Sequence, residues 1–93
     1  MQNIDMFYVY ILFSEKDKGL YIGLTKDLKK RFGQHETGQT KSTKNRRPLT
    51  LIHYECFLLK EDATAREEYL KSGYGRQQLK SQLKKLFEKL QVR

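Results

Sequence analysis

The chain has 93 residues and a formal net charge of +8, with 19 lysines and arginines against 11 acidic residues. This length suits one domain and is too short for two, so we expect a single domain over residues 1–93 with a core over about residues 7–90. The sequence holds no long apolar run and no leader pattern, which predicts a cytoplasmic protein without a membrane span. The one cysteine, Cys56, excludes an intramolecular disulfide, and its apolar neighbours predict a buried, inert thiol.

The positive charge is concentrated in two segments of the chain. Residues 26–47 hold eight basic residues against two acidic ones, and residues 71–93 hold seven against one. The remaining residues hold four basic and eight acidic side chains. Charge that served solubility alone would be scattered, whereas segregated positive charge is typical of proteins that bind a polyanion, most commonly nucleic acid.

The first two predicted elements form a β-hairpin. After a lead-in at residues 1–6, residues 7–13 and 20–24 are rich in aromatic and branched side chains, which favour strands. The link between them is polar and ends in Gly19, as is typical of a hairpin loop. We therefore expect two antiparallel strands.

A basic helix is predicted to follow. Thr25 is a candidate cap, Asp27 lies near the positive end of the helix dipole, and Gly38 is a suitable left-handed stop. Leu28 and Phe32 are four residues apart and are expected to form an inward apolar stripe. Arg31 and His35 have the same spacing and are expected to share a neighbouring polar face.

Residues 39–47 contain no apolar side chain and are predicted to form a loop that Pro48 ends. Hydroxyl groups alternate there with four cations, and both kinds of donor suit phosphate oxygens. An ordinary solvated loop would have a similar composition. The four candidate ligands for nucleic acid in this loop are Lys41, Lys44, Arg46 and Arg47.

A third strand is predicted from about Leu49 to Leu59, where apolar residues alternate with a period of two. Three antiparallel strands need a helical layer on at least one side to be stable. The predicted fold class is therefore α+β, with a three-stranded antiparallel sheet flanked by helices.

Two more helices are predicted after the third strand. The first runs from Asp62 to Ser72, with Ala65 and Tyr69 facing the core, and the glycines of residues 73–75 interrupt it. The second runs over residues 76–90, and we assign its apolar stripe to the core rather than to a partner. The stripe consists of Leu79, Leu83, Leu86, Phe87 and Leu90.

Several segments together resemble the GIY-YIG nuclease domain. Tyr8-Val9-Tyr10 is followed, after ten residues, by Tyr21-Ile22-Gly23, which matches the second half of the family's name intact. The first half departs from it, because Tyr8-Val9 stands where the family has Gly-Ile, although the tyrosine is kept. The helix with Arg31 and His35 continues the resemblance, and residues 65–71 look like the later helix that supplies the family's single acidic residue. The small stand-alone members are most similar, and they imply a sandwich of three antiparallel strands between helices.

The resemblance implies roles for four of these side chains. Tyr10 would act as general base or would orient the attacking water, and Tyr21 would hold the nucleophile or the phosphate. Arg31 would grip the scissile phosphate through its planar, permanently charged fork, while His35 would relay a proton or bind phosphate. A free phenol has a pKa near 10, so the role of Tyr10 needs help from a neighbouring group.

The resemblance also implies one divalent ion, Mg²⁺ or Mn²⁺, held by Glu67. Glu68 is the competing ligand because it adjoins Glu67; the four-residue interval from Glu67 to Lys71 matches the family. The backbone at Gly23 would approach the substrate closely. Each residue also has a structural interpretation: Glu67 could simply pair with Lys71, and the tyrosines could be core aromatics.

We therefore expect a metal-dependent endonuclease that acts on DNA as a monomer, with RNA left open, and that selects branched or damaged substrates as in DNA repair. The first alternative is a nucleic-acid-binding module without catalytic activity. A third hypothesis is a protein-interaction domain that uses the basic C-terminal helix.

Overall fold

The computed structural model describes residues 5–93, so residues 1–4 of the expected lead-in lie outside it. The predicted α+β fold class is confirmed. The strands are β1 (Phe7–Ser14), β2 (Leu20–Thr25) and β3 (Leu49–Phe57). The helices are α1 (Leu28–Glu36), α2 (Lys60–Lys71), α3 (Gly73–Gln82) and α4 (Lys84–Leu90), with a short 3-10 helix at Lys44–Arg46.

The three strands form one antiparallel sheet in the order β2-β1-β3. The central strand, β1, is therefore covered on both edges, and its residues 9–14 are all buried. Tyr10 lies at its middle, opposite Gly23 on β2 and Tyr54 on β3. A shift of the β1–β3 register between Ile11 and Leu12 leaves Ile52 without a partner on β1.

Because side chains alternate along a strand, β1 contributes to two apolar layers. The larger core joins Val9 and Ile11 to buried residues of the C-terminal helices, Ala63, Leu70, Leu79 and Phe87. On the opposite face, a smaller cluster joins Tyr10 and Leu12 to the predicted stripe of α1, Leu28 and Phe32. Within residues 5–93, no helix has both the length and the apolarity needed to cross a membrane.

The start of α1 differs from the prediction by two residues. The cap is Asp27, whose Oδ1 accepts a hydrogen bond from the backbone N–H of Lys30 at 3.1 Å. Thr25 lies too early to do this because it is the last residue of β2; its hydroxyl instead accepts from the N–H of Asp27 at 3.1 Å. The end of α1 is as predicted, with Gly38 in the left-handed region at φ 79°.

Two predictions for α2 are wrong. The helix begins at Lys60 rather than Asp62 and ends one residue before Ser72. Ala65 and Tyr69, predicted to face inward, are exposed. The inward face instead has two buried apolar side chains with two charged side chains between them, at helical spacings of three and four: Ala63, Arg66, Glu67 and Leu70.

The last predicted helix is divided differently from the prediction. Gly73 and Gly75 belong to α3 instead of interrupting the chain, and Ser72 caps α3 by accepting from the N–H of Gly75 at 3.2 Å. Gly75 is a glycine because a Cβ there would overlap the carbonyl oxygen of Tyr69. Helices α3 and α4 then meet at Leu83, where the expected single helix bends.

The prediction of a buried cysteine is also wrong. Strand β3 ends at Phe57 rather than Leu59, and Cys56 is exposed. It lies opposite Tyr8 on an edge strand, at the end of the sheet face that the short helix α1 does not cover. Tyr54, two residues earlier on the same face, is 53% exposed for the same reason.

Candidate active site

Four side chains, from β1, α1 and the loop after α1, form one continuous chain of hydrogen bonds. The hydroxyl oxygen of Tyr10, on β1, lies 2.9 Å from Nε2 of His35, on α1. Nδ1 of His35 lies 2.6 Å from the hydroxyl of Thr43, in the loop after α1. From the solvent side, Nε of Arg31 donates to the Tyr10 hydroxyl at 3.5 Å. Tyr10, His35 and Thr43 are at most 1% exposed, so this is a buried polar network.

The local sequence explains how these groups come together. Arg31 and His35 are one helical turn apart, so both point from α1 toward the same part of the sheet. On β2, a Cβ at Gly23 would overlap the ring of Tyr10, so the glycine makes room for this phenol. The structure thus gives Gly23 a role in packing, and the predicted approach of its backbone to a substrate stays a prediction.

Tyr21 completes the aromatic wall of this network. Its ring centroid lies 5.1 Å from that of His35 and 6.3 Å from that of Tyr10. Unlike Tyr10, Tyr21 is half-buried, because β2 is an edge strand. The structure therefore brings together four of the five predicted catalytic residues: Tyr10, Tyr21, Arg31 and His35.

The pKa shifts of Tyr10 and His35 both favour neutral side chains. Burial raises the pKa of Tyr10, with Arg31 acting in the opposite direction, so the phenol is neutral near pH 7. Burial, together with the charge of Arg31, lowers the pKa of His35, so its ring is neutral too. Tyr10 accepts from Arg31 and shares a proton with Nε2 of His35. In the tautomer with the ring proton on Nδ1, Nε2 accepts from the Tyr10 hydroxyl and Nδ1 donates to Thr43.

Glu67 lies apart from this chain of hydrogen bonds. Within residues 5–93 its one ion pair is with Lys71, at 3.3 Å, and its side chain is 18% exposed. Its negative charge nevertheless acts on Tyr10, where it adds to the rise in pKa caused mainly by burial. Glu68, the next residue along α2, is exposed. The choice of Glu67 over Glu68 as the metal ligand stays a prediction.

In the basic loop, residues 39–47, the side chains of the two arginines bond to other parts of the described fold and those of the two lysines do not. Arg46 makes a two-pronged ion pair with Asp17 of the β1–β2 turn, at 2.6 and 3.1 Å, and this pair holds the pKa of Asp17 well below its usual range. Arg47 donates to the carbonyl oxygens of Lys44 and Glu36. Arg46 thus joins the loop to the turn, and its predicted role as a nucleic-acid ligand stays a prediction. The side chains of Lys41 and Lys44 are exposed and make no hydrogen bond or ion pair with residues 5–93.

Thr43 is the residue that the sequence did not reveal. It lies in a loop without apolar residues, so no hydrophobic period marks it as buried. A buried histidine that accepts at one nitrogen must donate at the other, and this requirement was the only signal for a second partner. Thr43 meets it, and the loop that carries Thr43 is in turn fixed to β1, because the hydroxyl of Ser14 donates to the carbonyl of Arg46 at 2.6 Å.

Comparison with known proteins decides the family. The family model for the GIY-YIG catalytic domain matches residues 6–81. The chain belongs to the GIY-YIG family. This is a family of nucleases that generally use divalent metals, and membership implies a nucleic acid as substrate. The chain departs from the GIY-YIG pattern at Tyr8 and Val9, and neither residue belongs to the network of Tyr10. Val9 is buried in the core on the opposite face, and Tyr8 packs edge-on against Tyr54.

Relatives with the name UPF0213 protein are similar over most of their length. The protein of Haloquadratum walsbyi is 41% identical over 73% of this chain and 76% of its own length. That of Staphylococcus saprophyticus is 41% identical over 83% of this chain and 94% of its own length. That of Clostridium perfringens is 43% identical over 80% of each. These names state no activity. No solved structure matches the chain.

Proposed function

We propose that this GIY-YIG chain is a metal-dependent endonuclease that hydrolyses phosphodiester bonds of DNA, with a preference for branched or damaged substrates. The observation that carries the proposal is the buried chain from Arg31 through Tyr10 and His35 to Thr43. A hairpin that needed Tyr10 only as a core aromatic would not require a histidine and an arginine on its hydroxyl.

The network gives Tyr10 a way to act as a base without a lowered pKa. As the Tyr10 oxygen takes a proton from the attacking water, its own proton passes to Nε2 of His35, 2.9 Å away. The Nδ1–H bond to Thr43 holds the ring in the tautomer that can receive this proton. The water oxygen bonds to phosphorus as the bond to the departing oxygen breaks, and no phenolate is needed in the resting state.

Arg31 has two roles in this proposal. Its guanidinium is half-exposed, and its bond to Tyr10 is long at 3.5 Å, so a phosphate oxygen can compete for the same donor. When Arg31 turns to the scissile phosphate, it neutralises charge that develops on the phosphoryl oxygens. The same movement exposes the Tyr10 hydroxyl, which is buried in the free protein.

The donors of the structure fit one hard divalent ion. Within residues 5–93, no three His, Cys, Asp or Glu side chains cluster as a metal site, so a metal here would have at most two such ligands. Mg²⁺ keeps most of its water ligands and is often held by one or two carboxylates, and Mn²⁺ accepts the same oxygen ligands. Glu67 would hold it, and the ion would supply a positive charge for the phosphate and the departing oxygen.

Plasmid nicking by the pure protein tests this proposal. We expect wild-type protein to nick supercoiled DNA with Mg²⁺ and not with EDTA. Glu67→Ala should abolish nicking, while the matched neighbour variant Glu68→Ala should keep it, with both variants showing wild-type circular dichroism. Nicking by Glu67→Ala at the wild-type rate would overturn the metal assignment. DNA binding without nicking under Mg²⁺ or Mn²⁺ would favour the binding module.

A further inference from the structure

A second concave surface lies among α3, α4 and the C-terminal tail. We call it the C-terminal groove; its volume is about 630 Å³. Its floor includes the apolar side chains of Phe87 and Val92, and Glu88 is its one acidic lining residue. Four basic residues line it: Arg76, Lys80, Lys84 and Arg93.

The four cations of this groove are available to a ligand. Within residues 5–93, none of them makes an ion pair, whereas Arg46, Arg66 and Lys71 pair with internal carboxylates. Lys80 and Lys84 are also exposed. Four cations against one carboxylate leave the groove with a net positive charge, so the arrangement favours an anionic occupant.

The C-terminal groove is connected to the catalytic network through the β1–β2 turn. The backbone N–H of Arg93 donates to the carbonyl of Lys18 at 2.8 Å. The guanidinium groups of Arg93 and Arg46 both flank Gly19: a Cβ there would lie 2.6 Å from one and 3.0 Å from the other. Arg46 belongs to the same loop as Thr43, the partner of His35. The groove and the loop that carries Thr43 are therefore joined at the β1–β2 turn, where Asp17 neutralises Arg46 and Arg93 makes no ion pair with residues 5–93.

We propose that the C-terminal groove binds the sugar-phosphate backbone of a nucleic acid, away from the bond that is cut. This inference rests on the proposed function for its ligand, a substrate strand that also reaches the network at Tyr10. Lysine and arginine on the walls would contact successive phosphates, and the apolar floor would accept the faces of the sugars. A single small anion would leave most of these charges unmatched.

The test compares two double variants that remove the same net charge. Lys80→Gln/Lys84→Gln removes cations of the groove; Lys26→Gln/Lys60→Gln removes exposed cations elsewhere, near Asp5 and Glu61. The affinity for a fluorescent 20-base-pair duplex is measured by anisotropy, in EDTA, over a range of salt concentrations. Circular dichroism and thermal melting check that each variant is folded.

We expect the groove variant to bind more weakly and to lose about 0.9 from the slope of log K against log salt concentration for each phosphate contact removed. The control variant should keep the slope of wild type. Equal loss of slope in both variants would overturn the proposal, because it would indicate a general charge effect. Displacement of the duplex by polyglutamate at a lower charge concentration than by unlabelled DNA would also overturn it.

Binding in EDTA is separate from catalysis, so the two proposals can fail independently. If the groove variant loses affinity but the wild-type protein never cuts DNA, the groove proposal holds and the nuclease proposal fails. If the wild-type protein nicks plasmid but the groove variant keeps the wild-type salt slope, the nuclease proposal holds and the groove proposal fails.

Discussion

A free phenol is a poor base at neutral pH, because its pKa is near 10, and burial raises the pKa of Tyr10 further. The network compensates by giving the phenol proton an acceptor in His35, whose pKa is lowered by burial and by Arg31. Both shifts keep the pair neutral at rest, with the phenol proton on Tyr10. The directions of the shifts therefore argue against a resting phenolate, and the relay moves its proton only as the attacking water gives one to Tyr10.

Titration of His35 by NMR tests this arrangement at the level of single residues. We expect a neutral ring with its proton on Nδ1 at pH 7 and a pKa below the ordinary 6.5. Arg31→Gln should raise that pKa, because it removes a nearby positive charge. His35→Gln identifies the signal against that of His53. A protonated His35 at pH 7, or a neutral ring with its proton on Nε2, would contradict the relay.

At the scale of the elements, the junction of α2 and α3 depends on one glycine. Helix α3 starts directly against the end of α2, and the N–H of Gly75 donates to Ser72 within this turn. A Cβ at Gly75 would overlap the Tyr69 backbone, which a side-chain movement cannot relieve, while a Cβ at Gly73 would meet nothing within 4 Å. The two glycines therefore form a matched pair for mutation.

Gly75→Ala should lower the free energy of unfolding by at least about 2 kcal/mol, which corresponds to a fall in Tm of about 10 °C for a chain of this size. Gly73→Ala should be neutral or stabilise the protein by up to about 1 kcal/mol, since alanine restricts the unfolded chain. Thermal and urea unfolding measure both. Equal effects of the two substitutions would contradict the described junction.

The pair of Asp17 and Arg46 links the β1–β2 turn to the loop that carries Thr43. Because Arg46 holds the pKa of Asp17 below its ordinary value of about 3.9 in the folded protein, the pair stabilises the fold above that pH. The stabilisation is lost as the pH falls through the folded-state pKa, where the carboxylate takes up a proton.

Asp17→Asn should therefore cost about 1 kcal/mol of unfolding free energy near pH 7, and this cost should shrink as the pH falls below about 4. Urea unfolding at a series of pH values measures it. Asp5→Asn is the control, because its ion pair with Lys26 is largely exposed and should contribute little. A cost for Asp17→Asn that stays constant down to pH 2 would show that the ion pair is not its source.

At the scale of the whole molecule, periodic patterns predicted the sheet and the apolar stripe of α1, while the resemblance implied helices on both faces of the sheet. Strand alternation and the stripe of α1 depend on local side-chain chemistry, so they are readable in one dimension. The inward face of α2 was misread because two of its four members, Arg66 and Glu67, are charged. Those charges are paired in the structure: Arg66 donates to Glu55 on β3 at 2.8 and 3.1 Å, and Glu67 pairs with Lys71.

Other features depend on contacts that no local pattern encodes. The requirement for Gly75 comes from the close approach of two helices, and the exposure of Cys56 comes from the limited reach of α1. The candidate site was predictable as a set because the resemblance supplied its residues in order. Thr43 and the internal pairing of Arg46 were not, since both arise from the folded position of one polar loop.

The central claim is that the Tyr10 hydroxyl moves a proton during phosphodiester cleavage, and single-turnover cleavage of labelled DNA with Mg²⁺ tests it most directly. Tyr10→Phe keeps the ring but removes the hydroxyl, so we expect the rate constant to fall by about 10²- to 10⁴-fold with DNA affinity within about twofold of wild type. Tyr8→Phe, two residues away and outside the network, should cut at the wild-type rate. Cleavage by Tyr10→Phe as fast as by Tyr8→Phe would contradict the account.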